Sequence, residues 1–138
     1  MMTHKRVYTF SLTGEIGWKS LNIREANSFD ANLRAIGITN RQLALLFALE
    51  RNKDATIAEI ARELALDRAT VKRHLTPMIS SLVVEAAPPS RGRDTAFTLT
   101  QAGSRRLQTG MKIWKSGARA WRAAAENAKA SPTGTAAE

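Results

Sequence analysis

Between residues 7 and 12 apolar and polar positions alternate. Tyr8, Phe10 and Leu12 fall on one side and Val7, Thr9 and Ser11 on the other, which predicts a short strand or extended arm. The period then changes. Ala26, Phe29, Leu33 and Ile36 recur at helical spacing, with Ile16 and Ile23 as weaker members upstream and Gly37 where a helix would stop, so a first helix is expected over about 15–36. Thr39 can cap a second helix, rich in Leu43, Leu46, Phe47 and Leu49, that runs to about Arg51.

The next stretch is the most informative. Thr56 followed by Glu59 is a capping box opening a helix through Ile57, Ile60, Ala61 and Leu64, which ends near Ala65. Asp67 offers another N-cap almost at once. Val71, Leu75, Met78, Ile79 and Leu82 then mark the buried face of a fourth helix, and two capped helices joined by so short a turn predict a helix-turn-helix. Val83 to Ala87 and Thr95 to Leu99 read as strands around the polar turn Pro88-Pro89-Ser90-Arg91-Gly92-Arg93, a candidate wing. Thr100 caps a long last helix in which Leu107, Met111, Trp114, Ala118, Trp121 and Ala125 step by four and three, a seam that calls for another helix against it. The tail over 131–138 holds too few large apolar groups to order itself.

Composition narrows the function. The 138 residues, 43% hydrophobic and 24% charged, suit one globular domain. Their formal charge of +9 favours a polyanionic partner, nucleic acid first and an anionic membrane surface second. Without cysteine, disulfides, thiolate metal sites and thiol chemistry are excluded. His4 and His74 are the only histidines and neither has a visible acid–base partner, so no catalytic site, metal or cofactor is expected. No segment has the length of a membrane span or the pattern of a signal peptide, and a cytoplasmic, nucleoid-associated protein is the expectation.

If helix four docks on DNA, its buried face turns Arg68, Ala69, Thr70, Lys72, Arg73 and Thr76 outward. These side-chain types suit a major groove, where arginine forks onto guanine, threonine meets an edge or a thymine methyl, and lysine sits on phosphate. Arg91 and Arg93 flank Gly92 at the expected wing tip, where they can enter a minor groove or clamp phosphates. A solvated charged face is the plain alternative for both. From Arg68 to Arg93 there are five basic residues and one acidic, Glu85, which supports the DNA reading. For Trp114 and Trp121, packing in a helix–helix seam is the favoured reading, because Gly110 and Gly117 repeat with them. Trp18, Phe29 and Trp114 are the candidates to line a ligand site, although core packing explains each as well.

Several local patterns, in order, resemble the MarR family of bacterial winged helix-turn-helix transcriptional regulators. They are Leu33-Arg34-Ala35-Ile36-Gly37-Ile38-Thr39 at the entry to the second helix, Ile57-Ala58-Glu59-Ile60-Ala61 and Leu66-Asp67-Arg68-Ala69-Thr70-Val71 in the helix-turn-helix, and Leu99-Thr100-Gln101-Ala102-Gly103 after the wing. The resemblance implies a mainly α fold with a small β-hairpin wing, a winged helix-turn-helix carrying N- and C-terminal dimerisation helices. Residues 1–14 would form an N-terminal arm, 15–37 and 100–130 the dimerisation helices, and 38–99 the DNA-binding region. It further implies a homodimer on a near-palindromic operator of double-stranded DNA, acting as a repressor that a small aromatic effector releases. The recognition positions would be Arg68, Thr70, Lys72 and Arg73, and the wing-tip arginine Arg93. Four features depart from the family pattern: Arg91 where an aspartate usually orients that arginine, leaving Asp94 to compensate; Leu82 where glycine often follows helix four, so the helix must end without a left-handed glycine; Glu85 where a basic residue is common; and Pro77 within helix four. A ligand-independent or architectural DNA-binding factor and a winged-helix protein-interaction module remain open as alternatives.

Overall fold

The structure, a computed structural model, describes residues 4–10, 15–87 and 94–130, the stretch 120–130 as helical backbone only. Two strands open it. β1 (His4–Phe10) and β2 (Ile16–Asn22) pair antiparallel with Tyr8 opposite Trp18 and Val7 opposite Lys19. The expected helix over 15–36 is therefore only half right: 15–22 is not helical, and α1 spans Ile23–Arg34. Asn22 sets the boundary, its side chain accepting the Arg24 amide at 2.8 Å as an N-cap. Upstream of it only Leu21 of β2 is fully buried, too little to anchor a helical face.

α1 buries Ala26, Phe29 and Leu33 and stops at Gly37, whose φ of +82° allows the Ile38 and Gly37 amides to close back on Leu33 and Arg34. Thr39 caps α2 (Asn40–Arg51) in a capping box with Gln42. This helix is the hub of the core. Leu43, Leu45, Leu46 and Leu49 are all fully buried, and α2 touches α3, α4, α5, β1 and a strand of the second sheet. Asn40 ties the N-terminal strand to it: its side-chain oxygen accepts the Tyr8 amide at 2.7 Å and its amide donates to the Tyr8 carbonyl at 3.2 Å.

β3 (Ala55–Thr56) leads into α3 (Ile57–Leu64), opened by the expected Thr56–Glu59 capping box. α4 (Arg68–Ser80) follows its Asp67 cap, and β4 (Val84–Ala86) and β5 (Ala96–Leu99) form the base of the wing. The sheet order is β3-β5-β4, antiparallel, with Ala55 opposite Phe97 and Val84 opposite Leu99. β3, only two residues long, is invisible to periodicity. The proposed wing tip, with Arg91 and Arg93, lies outside the described residues, as does the tail over 131–138.

α5 (Gln101–Ala130) follows Thr100, whose hydroxyl accepts the Gly103 amide at 3.0 Å. Leu107 and Ala118 are buried and Met111 and Trp114 pack against the same core, so this part of the heptad seam finds its partners in α1 and α2 of its own chain. A second subunit is not needed to cover it. The side chains of Trp121 and Ala125 lie outside the described residues.

Candidate nucleic-acid interface

α4 is positioned by its two ends. At its start the Asp67 carboxylate accepts the Thr70 amide at 2.6 Å, and that hydrogen bond, followed by the Thr70 hydroxyl and the charge of Arg73, holds its carboxyl below the usual range. At its end the Val83 amide donates to Met78 and the Leu82 amide to Ile79, with Leu82 in the left-handed region at φ +63°. The helix thus ends on a left-handed residue after all, without the glycine. Two side chains expected in the core are outside it: Ile79, 38% exposed, sits one residue round the helix from Met78, and Leu82, 71% exposed, lies beyond the helix end in the left-handed turn. Pro77 sits inside the helix, on its exposed side.

Val71, Leu75 and Met78 anchor α4, and Arg68, Ala69, Lys72, Arg73 and Thr76 are exposed opposite them. Thr70 is half-buried and tied to Asp67, which leaves it the least available of the six candidates. The Thr76 hydroxyl donates to the Lys72 carbonyl at 2.9 Å, so toward a base it offers a methyl group and an acceptor. The cations divide in two. Arg68 and Lys72 share a cleft with Asp94 and Thr95 at the foot of the wing and with Ile57 and Ala58 of α3. Arg73, about 100° further round the helix, points away from it. Asp94 therefore faces the start of α4.

On the other flank of α4, the His74 ring nitrogen Nε2 lies 3.4 Å from Arg41 Nη1. Burial first, then the charges of Arg41 and Arg73, lower the His74 pKa, which keeps the ring neutral as an acceptor. Lys5, Arg6, Tyr8 and Arg34 join these two around a cleft of about 330 Å³. No local pattern announces this grouping, because it joins β1, α1, α2 and α4.

The three candidate ligand residues are not brought together. Trp18 is 56% exposed on the hairpin, with the Arg6 guanidinium 4.1 Å from its ring centre. Trp114 packs edge-on against Phe10, ring centres 5.5 Å apart, with its indole nitrogen buried and unpartnered among the described residues. Phe29 is buried and borders a groove of about 640 Å³ between α1 and α5 that neither tryptophan lines. The strand at 16–22 explains the separation, since it carries Trp18 away from α1.

A helix-turn-helix with Arg68, Lys72 and Arg73 exposed on its second helix, beside a three-stranded wing base, defines a winged helix-turn-helix fold. Residues 36–93 match the model of the MarR family. That span holds α2, the helix-turn-helix pair α3 and α4, and the first wing strand β4. No curated protein matches it. Similar solved structures include the M. tuberculosis transcriptional regulator MosR in complex with DNA, at 24% identity and a TM-score of 0.61 over 78% of this chain and 88% of that one. Wild-type MarR from E. coli is 20% identical, with a TM-score of 0.60 over 66% and 68% of the two chains. Staphylococcus aureus MarR in complex with salicylate and kanamycin is 18% identical, with a TM-score of 0.64 over 72% and 67%. Among the described residues no helix is long and apolar enough to cross a membrane.

Proposed function

We propose that this chain is a homodimeric repressor that reads a near-palindromic site in double-stranded DNA by placing α4 in the major groove. The observation that carries the reading is the outer face of α4, where Arg68, Lys72 and Arg73 are exposed and no acidic residue occurs from Arg68 to Val84. Arg73 is the base reader, Arg68 and Lys72 hold the strand on the wing side, and Arg91 and Arg93 extend the contact from the wing tip. The DNA-bound state of MosR and the operator-bound state of an E. coli MarR variant support this assignment.

The second copy docks along α1 and α5. Their shared groove combines the small residues Ser28, Ser116 and Gly117 with apolar Phe29 and Ile113 and with the charged Arg24, Glu25 and Lys112, a mixture that suits a second helix. Release by a small aromatic compound completes the reading, supported by the salicylate complex of S. aureus MarR. Selecting bound duplexes from a random pool tests the whole: the enriched site is expected to be palindromic, with half-site centres about 10 to 10.5 base pairs apart or a multiple of that. A pool without enrichment, or sedimentation of a lone subunit at micromolar concentration, overturns it.

A further inference from the structure

The family match begins at residue 36, after the hairpin and α1, which supply Lys5, Arg6, Asp30 and Arg34 to the cleft beside α4. Its lining is strongly one-signed: Lys5, Arg6, Arg34 and Arg41, beside the neutral His74, face a single carboxylate, Asp30. Lys5 already takes that carboxylate in an ion pair at 2.5 Å. The other ion pair among the described residues joins Arg51 to Glu63, elsewhere on the surface, so Arg6, Arg34 and Arg41 have no carboxylate partner there. All three are exposed.

The hairpin that brings Lys5 and Arg6 to this place is built into the head. The Tyr8 hydroxyl donates to the Leu64 carbonyl at the end of α3, at 2.9 Å, and Asn40 holds both backbone groups of Tyr8. Phe10 is buried against Phe47, ring centres 4.8 Å apart. Arg6 is further ordered by stacking on Trp18, which lowers the entropy cost when its planar group grips an oxyanion. The cleft reaches α4 through His74, the residue after Arg73, so a duplex engaged by Arg73 would carry its backbone past the opening.

We propose that the N-terminal hairpin is a second DNA-contacting element: Arg6, Arg34 and Arg41 receive a backbone phosphate of the site on the flank of α4 opposite the wing. Each head then holds the duplex from both sides of its recognition helix. The inference rests on the DNA-binding reading above, and its test separates the two.

The variant Arg6→Gln/Arg34→Gln removes two exposed guanidinium groups without touching the core, and an unchanged unfolding midpoint verifies its fold. Affinity for the selected duplex is measured against salt concentration for wild type, this double variant and Arg73→Ala. The double variant is expected to have a log–log slope smaller by about 0.9 for each phosphate it no longer neutralises, with affinity reduced alike on selected and random duplexes. Ethylation interference on wild-type complexes is expected to mark a phosphate in each half-site that the double variant no longer marks. If slope and interference are unchanged while Arg73→Ala weakens binding, the proposal fails and the DNA-binding reading stands. If neither variant changes binding, the reading itself fails. Inorganic phosphate serves as a third arm: stabilisation of the wild type but not the double variant, with an unchanged salt slope, makes the cleft a free-anion site and overturns the proposal.

Discussion

Gly103, in the first turn of α5, lies against the carbonyl of Val83, the residue at which α4 gives way to the wing. A Cβ there would overlap the Val83 carbonyl oxygen and stand 3.0 Å from its carbon. Thr100 fastens the same junction: its hydroxyl donates to the Leu82 carbonyl at 2.6 Å and accepts the Gly103 amide at 3.0 Å, and its amide donates to Val83 at 3.2 Å. The Leu-Thr-x-x-Gly pattern is thus the elbow that sets α4, wing and α5 relative to one another. Gly103→Ala is expected to destabilise the fold by about 3 kcal/mol, at the upper end of overpacking costs, because the obstacle is backbone. Gly110→Ala meets Leu43 Cδ1 at 2.6 Å, a side-chain end that can give way, and is expected to cost less. Urea unfolding of the two variants checks the order.

Two helices end on left-handed residues that carry a Cβ, Ala65 at φ +53° and Leu82 at φ +63°. In both, the amide pattern of a Schellman stop is complete, Leu66 to Ala61 in one and Val83 to Met78 in the other. Such a residue bears a steric cost of roughly 1–2 kcal/mol that glycine avoids, partly offset by the greater unfolded-state freedom of glycine. Ala65→Gly and Leu82→Gly are each expected to stabilise by about 0.5–1 kcal/mol, Leu82 giving up little packing because it is exposed. Denaturant midpoints measure this, and destabilisation by Leu82→Gly would mean the side chain makes contacts the fold requires.

The parts of the fold legible from sequence are those where a local signal coincides with burial. The capping box at Thr56 and the Asp67 cap fix the helix-turn-helix, and Val71, Leu75 and Met78 fix which side of α4 faces out. The misreadings share a cause. Residues 16–22 carry apolar positions that fit a helix loosely, but the pairing of β2 with β1 is non-local and depends on Asn40 and Phe47 far along the chain. The seam of α5 has the right period, yet period alone does not say whether the partner helix belongs to the same chain. The cationic cleft gathers residues from four elements, and no spacing connects them.

Asn40 is the buried polar side chain that makes β1 part of the head. Replacing it by alanine leaves the Tyr8 amide and carbonyl without their partner in a buried setting, and such orphaned groups cost about 1–3 kcal/mol. Asn40→Ala is expected to lower stability by that amount and to speed hydrogen exchange in β1 and β2 more than in α4. Uniform loss of protection would show that the hairpin and the head unfold only together.

His74 gives stability a pH dependence. Its native pKa lies below the ordinary 6.5, so between the two values the unfolded chain binds more protons than the folded one. Stability is therefore expected to be highest above about pH 6.5, to fall as pH drops through the window below it, and to level off once the native ring is also protonated. His74→Gln should flatten this segment of the profile. The Asp67 carboxyl acts in a separate window: its stabilisation is present above 3.8 and is lost as pH falls through its lower native pKa. Urea midpoints measured every half pH unit from 3 to 8 separate the two.

The division of the cations on α4 predicts two kinds of variant. Arg73 stands clear of the wing-side cleft, on the part of the helix opposite Val71 and Leu75, where a guanidinium can fork onto a guanine edge. Arg73→Ala is expected to relax preference at one base step of each half-site, by about 1–3 kcal/mol for a bidentate contact. Lys72 lies in the cleft with Asp94, beside the wing, where the proposed docking of α4 brings a strand backbone. Lys72→Ala is expected to weaken selected and random duplexes alike and to reduce the salt slope by about 1, as removal of one phosphate-neutralising charge requires. Competition binding across single-base variants of the selected site reads the first effect and salt titration the second. Reversed outcomes would place the base reader on the wing side of α4, and unchanged affinity in both would remove α4 from the interface.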